Sequence, residues 1–477
     1  MAVGPLGRLV ELLAWPVAGA VELVHGRLTG SCAILEVDVE EATSVLQAQV
    51  RLEQLRQVCD DPRVVGLWLR LRAAPGGWAT TSDLREVVLA LRAAGKQVWA
   101  SVEAPGNALM WLASACSRVF ITPGGEVAAV GVGLEITLLG ETLERLGLEV
   151  EVGAAGAYKS AGEMFTRSHA TPEHLQVMRN LAEQLNDQLV QGIASGRRLA
   201  AEQVRADLGR MPMGPHEAVQ AGWVDQVAYE DEVRAAFERA AGVDVRWQAY
   251  AGWAGRQRIL RWVRSWGRGA GHVAVLHLEG AVVVDDKSSG PAIRARAVCE
   301  VLQELAEDDR VRAVVLHVVS PGGSALASDL LWREVVRLQE RKPVVASFGD
   351  VAASGGFYLA AGANEIVARA STLTGSIGVV GGKVVAREAM RRLGVVIQTV
   401  DAAPNATMLS PGTTFSREQR ERFISSLTRV YDAFVERVAA GRGQSIDVVE
   451  PHCRGRVWLG NEALEVGLVD RLGDLHD

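Results

Sequence analysis

The feature that most constrains this chain is that it repeats itself. "APGGWATTSDLREVVLALRAAGKQVWAS" (74–101) aligns with "SPGGSALASDLLWREVVRLQERKPVVAS" (320–347) at an offset of 246, placing Pro321 on Pro75, Asp329 on Asp83 and Lys342 on Lys96. Further on the offset is 247: "AAVGVG" (128–133) falls on "GSIGVV" (375–380), and "LERLGLEV" (143–150) on "MRRLGVVI" (390–397). "GPHEAVQAGWVDQV" from Gly214 then matches "GNEALEVGLVDRL" from Gly460. Similarity over such lengths indicates duplication of a structural unit. The copies run from 29 to 244 and from 270 to 477, preceded by a segment 1–28 and joined by a linker 245–269.

Each copy alternates short Val/Ile/Leu-rich runs with helical periodicity. "RVVGLWLRL", "KQVWASV" and "SRVFIT" in the first copy correspond to "RAVVLHVV", "PVVASFG" and "NEIVAR" in the second, with "DLREVVLALRAAG" and "DLLWREVVRLQER" between runs. Continuous apolar strands separated by amphipathic helices predict an α/β fold, two tandem domains with mostly parallel sheets buried on both faces. Each copy ends with a long charged helical run, 171–210 and 416–441. The formal net charge of -7 provides no basic field for nucleic acid, and the 12 tryptophans are scattered, so a nucleic-acid partner is not expected. Five widely spaced cysteines without a CxxC, and the absence of HExxH and GxxxxGK[ST], point away from a zinc site, a disulfide framework or a P-loop.

Two segments lie outside the repeat. Leu6, Leu9, Val10, Leu13, Val17, Val21 and Val24 recur at helical spacing, while the uncharged run from Leu12 to Val21 is too short to span a bilayer. This amphipathic stretch suits a membrane interface, a dock on its own domain or on a partner subunit, or, less well because Glu11 interrupts it, a cleaved signal peptide. The linker "WAGRQRILRWVRSWGRGAG" would, as a helix, group Ile259, Trp262, Val263 and Trp266 on one face, with arginines mainly elsewhere. A membrane-surface contact and a packed linker helix both fit that pattern.

Reactive residues that differ between copies point to the chemistry. Ser354, in "DVAASGGFY", falls on Asn107, whereas Lys159, in "GAYKSAGEMFTR", falls on Ala406. A serine hydroxyl becomes a useful nucleophile only when a base within hydrogen-bond reach takes its proton. A lysine serves once burial without a countercharge lowers its pKa, and the neighbours Ala157, Tyr158, Ser160, Ala161 and Gly162 include no acid. Taken singly, Lys159 also reads as a surface lysine and Ser354 as a small helix-start residue. Gly322 and Gly323 in "VVSPGGS" open a helix, where free amides can face an oxyanion, but Gly76 and Gly77 recur in the first copy and make the turn part of the fold as well.

"SPGGSALAS", "GDVAASGGFYLAAGANEIVA", "STLTGSIGVVGG" and "GAYKSAGEMFTR" resemble the motifs of the signal peptide peptidase A (protease IV) family in its long, tandem form, from about 29 to 473. The resemblance implies a ClpP/crotonase-like fold in each copy and a serine peptidase with a Ser-Lys dyad. It implies Ser354 as nucleophile, Lys159 as general base, Ser376 holding the lysine amine, Gly323 and Gly355 as oxyanion donors, Gly322 shaping the turn, and Tyr158 and Ser160 placing Lys159. No metal or cofactor is implied. The expected substrates are apolar peptides such as cleaved signal peptides, the location is the bacterial inner membrane surface, and the assembly is a homo-oligomer, a tetramer. His317 and Val319 stand where the family commonly carries Arg and Asn, and His317 reads as strand packing. The usual N-terminal anchor is reduced to the charged amphipathic stretch. A catalytically silent peptide-binding scaffold and a crotonase-type acyl-CoA enzyme share the fold, but the second would want acidic groups near the glycine-rich turns.

Overall fold

The computed structural model describes residues 32–242, 245–255, 271–285 and 290–477, so the N-terminal amphipathic stretch and most of the linker lie outside the described residues. The chain forms two compact units, residues 1–131 with 187–270 and residues 132–186 with 271–477. The segment 132–186, which comes from the first copy and carries Lys159, thus packs with the second.

The first unit is built on β1 (Cys32–Val39), β2 (Val64–Leu71), β3 (Gln97–Val102) and β4 (Arg118–Ile121); β5 (Glu149–Ala155) belongs to the second unit, and β6 (Gln226–Val227) and β7 (Val245–Ala249) complete the first. The order is β6-β4-β3-β2-β1-β7, and every pair is parallel. Its apolar runs are continuous because helices bury both faces. On one face Ile34, Trp68, Trp99 and Phe120 meet Val233 and Phe237 of the helix Glu230–Ala241. The Trp99 and Phe237 rings lie 4.3 Å apart between centroids, within the range for favourable aromatic pairing.

The second unit repeats this plan. Its main sheet contains β8 (His272–Glu279), β11 (Val311–Ser320), β12 (Val344–Ala353), β13 (Glu365–Ala368), β14 (Leu373–Gly375), β16 (Val457–Leu459) and β17 (Arg471–Leu472). Only the β14–β16 pair is antiparallel among its described strands. Short strands β9 (Ala281–Val283) and β10 (Ala292–Arg294) pair with each other, and β15 (Val379–Val385) pairs antiparallel with β5.

The duplication extends to hydrogen bonds. Lys96 Nζ donates to the carbonyls of Asp61 and Val64, each at 2.7 Å, and Lys342 Nζ donates to those of Leu305 and Asp308, each at 2.6 Å. The Val119 amide donates to Asp225 at 2.7 Å as the Ile366 amide does to Asp470 at 2.7 Å. Both copies satisfy the same otherwise orphaned groups in the same way, as buried polar groups require.

Two elements differ from the sequence expectation. The run 171–210 forms two helices, Pro172–Arg197 and Ala201–Leu208, because Arg198 takes a left-handed φ of 57°. The equivalent in the second copy is Gly443, with φ 62° after the helix Arg417–Arg442, so a helix stop marked by glycine in one copy is unmarked in the other. β12 also runs past "PVVASFG" to Ala353, which brings the strand directly to Ser354.

Candidate active site

Ser354 sits at the turn from β12 into the helix Gly355–Ala360, with φ 54° and ψ -117°. A non-glycine residue rarely adopts this conformation, and the surroundings must enforce it. Its amide donates to the Gly375 carbonyl at 2.8 Å. A Cβ on Gly356 would stand 2.9 Å from the Ser320 carbonyl oxygen, so the helix can cross β11 this closely only with glycine there.

Lys159 reaches this turn because of the β5–β15 ribbon. Pairing of Ala155 with Val379 brings the chain leaving β5 beside Ser376–Gly378, just before β15. Lys159 Nζ lies 3.0 Å from Ser354 Oγ, 2.8 Å from the Ser376 carbonyl oxygen and 2.9 Å from Ser376 Oγ. A neutral amine has two protons and one lone pair. The two Ser376 oxygens can accept the protons while the lone pair faces the Ser354 hydroxyl. Desolvation lowers the Lys159 pKa to about 8. The structure thus brings Ser354, Lys159 and Ser376 together.

Gly322 and Gly323 have φ values of 102° and 155°, in a turn stitched to β9 by Val282 N donating to Gly322 O at 2.9 Å and Ser324 N to Val282 O at 2.8 Å. Neither the Gly323 nor the Gly355 amide donates a hydrogen bond among the described residues. A Cβ on Gly322 would lie 2.6 Å from Gly355 N and 2.7 Å from Ser354 Cβ, and one on Gly355 would lie 3.1 Å from Gly323 N. The two amides therefore border the same small space beside the Ser354 side chain. An oxyanion would need both N–H groups aimed at one point in that space.

Tyr158 and Ser160 flank the amine through backbone bonds. Tyr158 N donates to Arg454 O at 2.8 Å, and Ser160 N to Tyr158 O at 2.9 Å. His317 is away from this cluster, 2% exposed on β11 with its ring centroid 5.4 Å from that of His277, and burial pushes its pKa down to about 4. It packs within the sheet.

The sequence reading missed the turn Arg454–Gly455. Ser354, Ser376 and Arg454 are three of the four non-glycine residues with positive φ among those described, and all three surround Lys159. Gly455 N donates to Ile377 O at 2.7 Å, and a Cβ on Gly455 would come within 2.6 Å of both the backbone N and the Cβ of Lys159. Gly455 is the floor against which the lysine is seated. A Gly-Arg dipeptide at 209–210 and again at 455–456 was the signal available in the sequence.

Parallel sheets with a serine at a strained strand-to-helix turn define a ClpP/crotonase-like α/β protein, built here as two tandem domains. The sequence profile "Peptidase family S49" matches residues 90–244 and 336–477, and the chain belongs to that family. It is 30% identical over 426 residues to "Serine protease SPPA, chloroplastic" of Arabidopsis thaliana, covering 87% of this chain and 62% of that protein. It is 28% identical over 434 residues to "Protease 4" of Salmonella typhi, covering 89% and 69%. The chain thus spans less than two thirds of the Arabidopsis protein's length. Among solved structures, a ClpP1 mutant from Listeria monocytogenes matches 42% of this chain and 91% of its own, at 14% identity and a TM-score of 0.29.

Proposed function

We propose that the chain is a serine endopeptidase in which Ser354 attacks the scissile carbonyl and Lys159 is the general base. The observation that carries this reading is the 3.0 Å contact of Lys159 Nζ with Ser354 Oγ, made by an amine whose pKa burial lowers to about 8. Neutral Lys159 takes the hydroxyl proton as Oγ bonds to the carbonyl carbon. The carbonyl oxygen becomes an oxyanion between the amides of Gly323 and Gly355, and Gly322 keeps that space open. Collapse of the intermediate expels the peptide amine, which takes the proton back from Lys159. Water then adds to the acyl-enzyme through the same base and regenerates Ser354. Ser376 holds the amine in line throughout, and the backbone of Tyr158 and Ser160 fixes where Lys159 starts.

The proposed substrates are apolar peptides such as cleaved signal peptides, met at a bacterial inner-membrane surface by a homo-oligomer, a tetramer. The motif resemblance is what suggests this part of the reading. Among the described residues no helix is long and apolar enough to cross a membrane.

The test is hydrolysis of an unstructured apolar reporter peptide by wild type, Ser354→Ala and Lys159→Ala across pH, with detergent or lipid present. The expected result is loss in both variants, by about 10³-fold or more, and a wild-type rate rising through an apparent pKa near 8. Activity surviving in Lys159→Ala removes the lysine from the base role. An inactive but folded wild type favours a peptide-binding scaffold.

A further inference from the structure

We propose that Tyr431 and Glu450 are positioning residues for Lys159, acting through a strained Arg454 that they hold in place; the inference rests on the peptidase reading above and deepens it. Arg454 has φ 48°, in the left-handed region that an L side chain enters only at a cost. Glycine sits there freely, and glycine does follow at 455, with φ 78°. An arginine in that conformation needs something to keep it there.

Its own side chain and amide supply the hold. Arg454 Nε donates to the two carboxylate oxygens of Glu450 at 3.0 and 3.1 Å, and Nη2 donates to Oε2 at 2.7 Å, a forked, charge-assisted contact that fixes one geometry. The Arg454 amide donates to Tyr431 Oη at 3.1 Å, and that hydroxyl donates to Glu450 Oε1 at 3.2 Å. The Arg454 and Glu450 side chains remain 47% and 31% exposed, so the pair adds little to stability, and what it fixes is a conformation. Tyr431 is the anchor, since its ring packs against the core from the helix Arg417–Arg442.

The other side of the same turn grips the reacting groups. Arg454 O accepts from the amide of Tyr158, the residue before the base, at 2.8 Å. Gly455 N donates to Ile377 O at 2.7 Å, and Arg456 O accepts from Ser376 N at 2.6 Å. Residues 454–456 thus hold the backbone that carries Lys159 and the backbone of Ser376, whose two oxygens lie 2.8 and 2.9 Å from the Lys159 amine. Relaxation of Arg454 to an ordinary negative φ would turn its carbonyl away from Tyr158 and release both grips together.

The duplication provides a control. At the offset of 246 that lays Gly455 on Gly209, Arg454 falls on Leu208 and Glu450 on Val204. At the offset of 245 that lays the helix stop Gly443 on Arg198, Tyr431 falls on Asn186. Gly209 keeps an ordinary φ of -72°, and Leu208 is not among the described residues with positive φ. Clamp and left-handed turn are both confined to the turn that seats Lys159.

The test follows hydrolysis of an unstructured apolar reporter peptide by the full chain across pH, in Glu450→Ala, Tyr431→Phe and Glu450→Ala/Arg454→Gly, with unfolding midpoints to check folding. Glu450→Ala should lower the rate at neutral pH about 10-fold and move the pH of half-maximal rate up from about 8. Tyr431→Phe, which keeps the packed ring, should act in the same direction by about threefold. Adding Arg454→Gly to Glu450→Ala should bring the rate back to within about threefold of wild type, because glycine holds the left-handed turn unaided. Competitive acetylation of Lys159, read by mass spectrometry across pH, reports the apparent pKa of the amine without reference to hydrolysis and should shift in parallel. An amine pKa unmoved in both Glu450→Ala and Tyr431→Phe overturns the proposal, as does a loss of rate that Arg454→Gly fails to repair. If Glu450→Ala fails to fold, Tyr431→Phe alone decides. A wild type that hydrolyses no peptide overturns the peptidase reading instead, and the acetylation shifts still decide on the clamp.

Discussion

The turn after β3 in the first unit and the turn after β12 in the second come from one ancestral design, and they now differ in backbone as much as in side chain. In the first, the helix Asn107–Ser114 starts from Gly106 at an ordinary φ of -77°, and nothing lies within 4 Å of where its Cβ would be. Asn107 closes the loop with its own side chain, donating to Gly131 O at 2.7 Å and accepting from Gly131 N at 3.1 Å. In the second, Ser354 holds φ 54° beside Gly322, Gly355 and Gly356, none of which has room for a methyl group. The neighbouring turns follow suit, since Gly77 has φ -72° where Gly323 has φ 155°. At the positions of Ser354, Ser376 and Lys159 the other copy carries Asn107, Ala129 and Ala406. Duplication kept the sheet in both units and kept the strained turn, the serine hydroxyl and the desolvated amine in one set of positions.

The sharpest way to break this contrast is one substitution made at both places. Gly322→Ala puts a methyl group 2.6 Å from Gly355 N at a φ of 102°, whereas Gly76→Ala meets only the Thr80 side chain at 3.0 Å. Peptide hydrolysis should fall about 10²–10³-fold in Gly322→Ala, the scale of losing an oxyanion donor. Gly76→Ala should leave the rate unchanged and shift stability by no more than about 1 kcal/mol. Equal losses would mean that the two turns do the same work. Next in size is Gly455→Ala, which crowds Lys159. Its rate at neutral pH should drop roughly 10- to 100-fold, and the pH at half-maximal rate should move up from about 8 toward that of free lysine as the amine is displaced into solvent. A lower rate with an unmoved pH profile would make Gly455 a purely structural residue.

The sheets were legible because β-branched runs and helical periodicity are local properties, and each copy states them independently. Ser354 and Lys159 could be singled out as differences between copies. Nothing in their spacing, however, puts an amine 3.0 Å from a hydroxyl 195 residues away. That depends on the β5–β15 ribbon, a long-range pairing; the motif resemblance implied the Ser-Lys pair but not the ribbon that brings it together. The Arg454–Gly455 turn and the helix break at Arg198 stayed hidden for a related reason. A close backbone approach and a left-handed arginine are imposed by tertiary packing: the repeated Gly-Arg dipeptide marks the first only when the copies are compared, and nothing local marks Arg198.

The desolvated amine also makes the second unit's stability depend on pH in a way that Ala406, at the equivalent position of the other copy, cannot. The folded pKa of Lys159, about 8, lies below the unfolded value of 10.5, so between them the unfolded chain holds more protons than the folded one. Stability therefore rises with pH across that window, by about 2–3 kcal/mol for a shift of this size. Lys159→Met should flatten this rise in denaturant unfolding curves taken at pH 7 and pH 10. An unchanged slope would show that the amine is solvated in the folded state.

The smallest expected effect is the most direct test of whether the first turn could ever work. Asn107→Ser supplies a hydroxyl at the equivalent position but removes the two hydrogen bonds to Gly131. The cost should be about 1 kcal/mol in unfolding free energy. Combined with Ser354→Ala, it should restore no hydrolysis, because Gly106 keeps an ordinary φ and the lysine position in the other copy is Ala406. Recovered activity in that double variant would place the determinant of catalysis in the hydroxyl alone and make the strained turn at Ser354 dispensable.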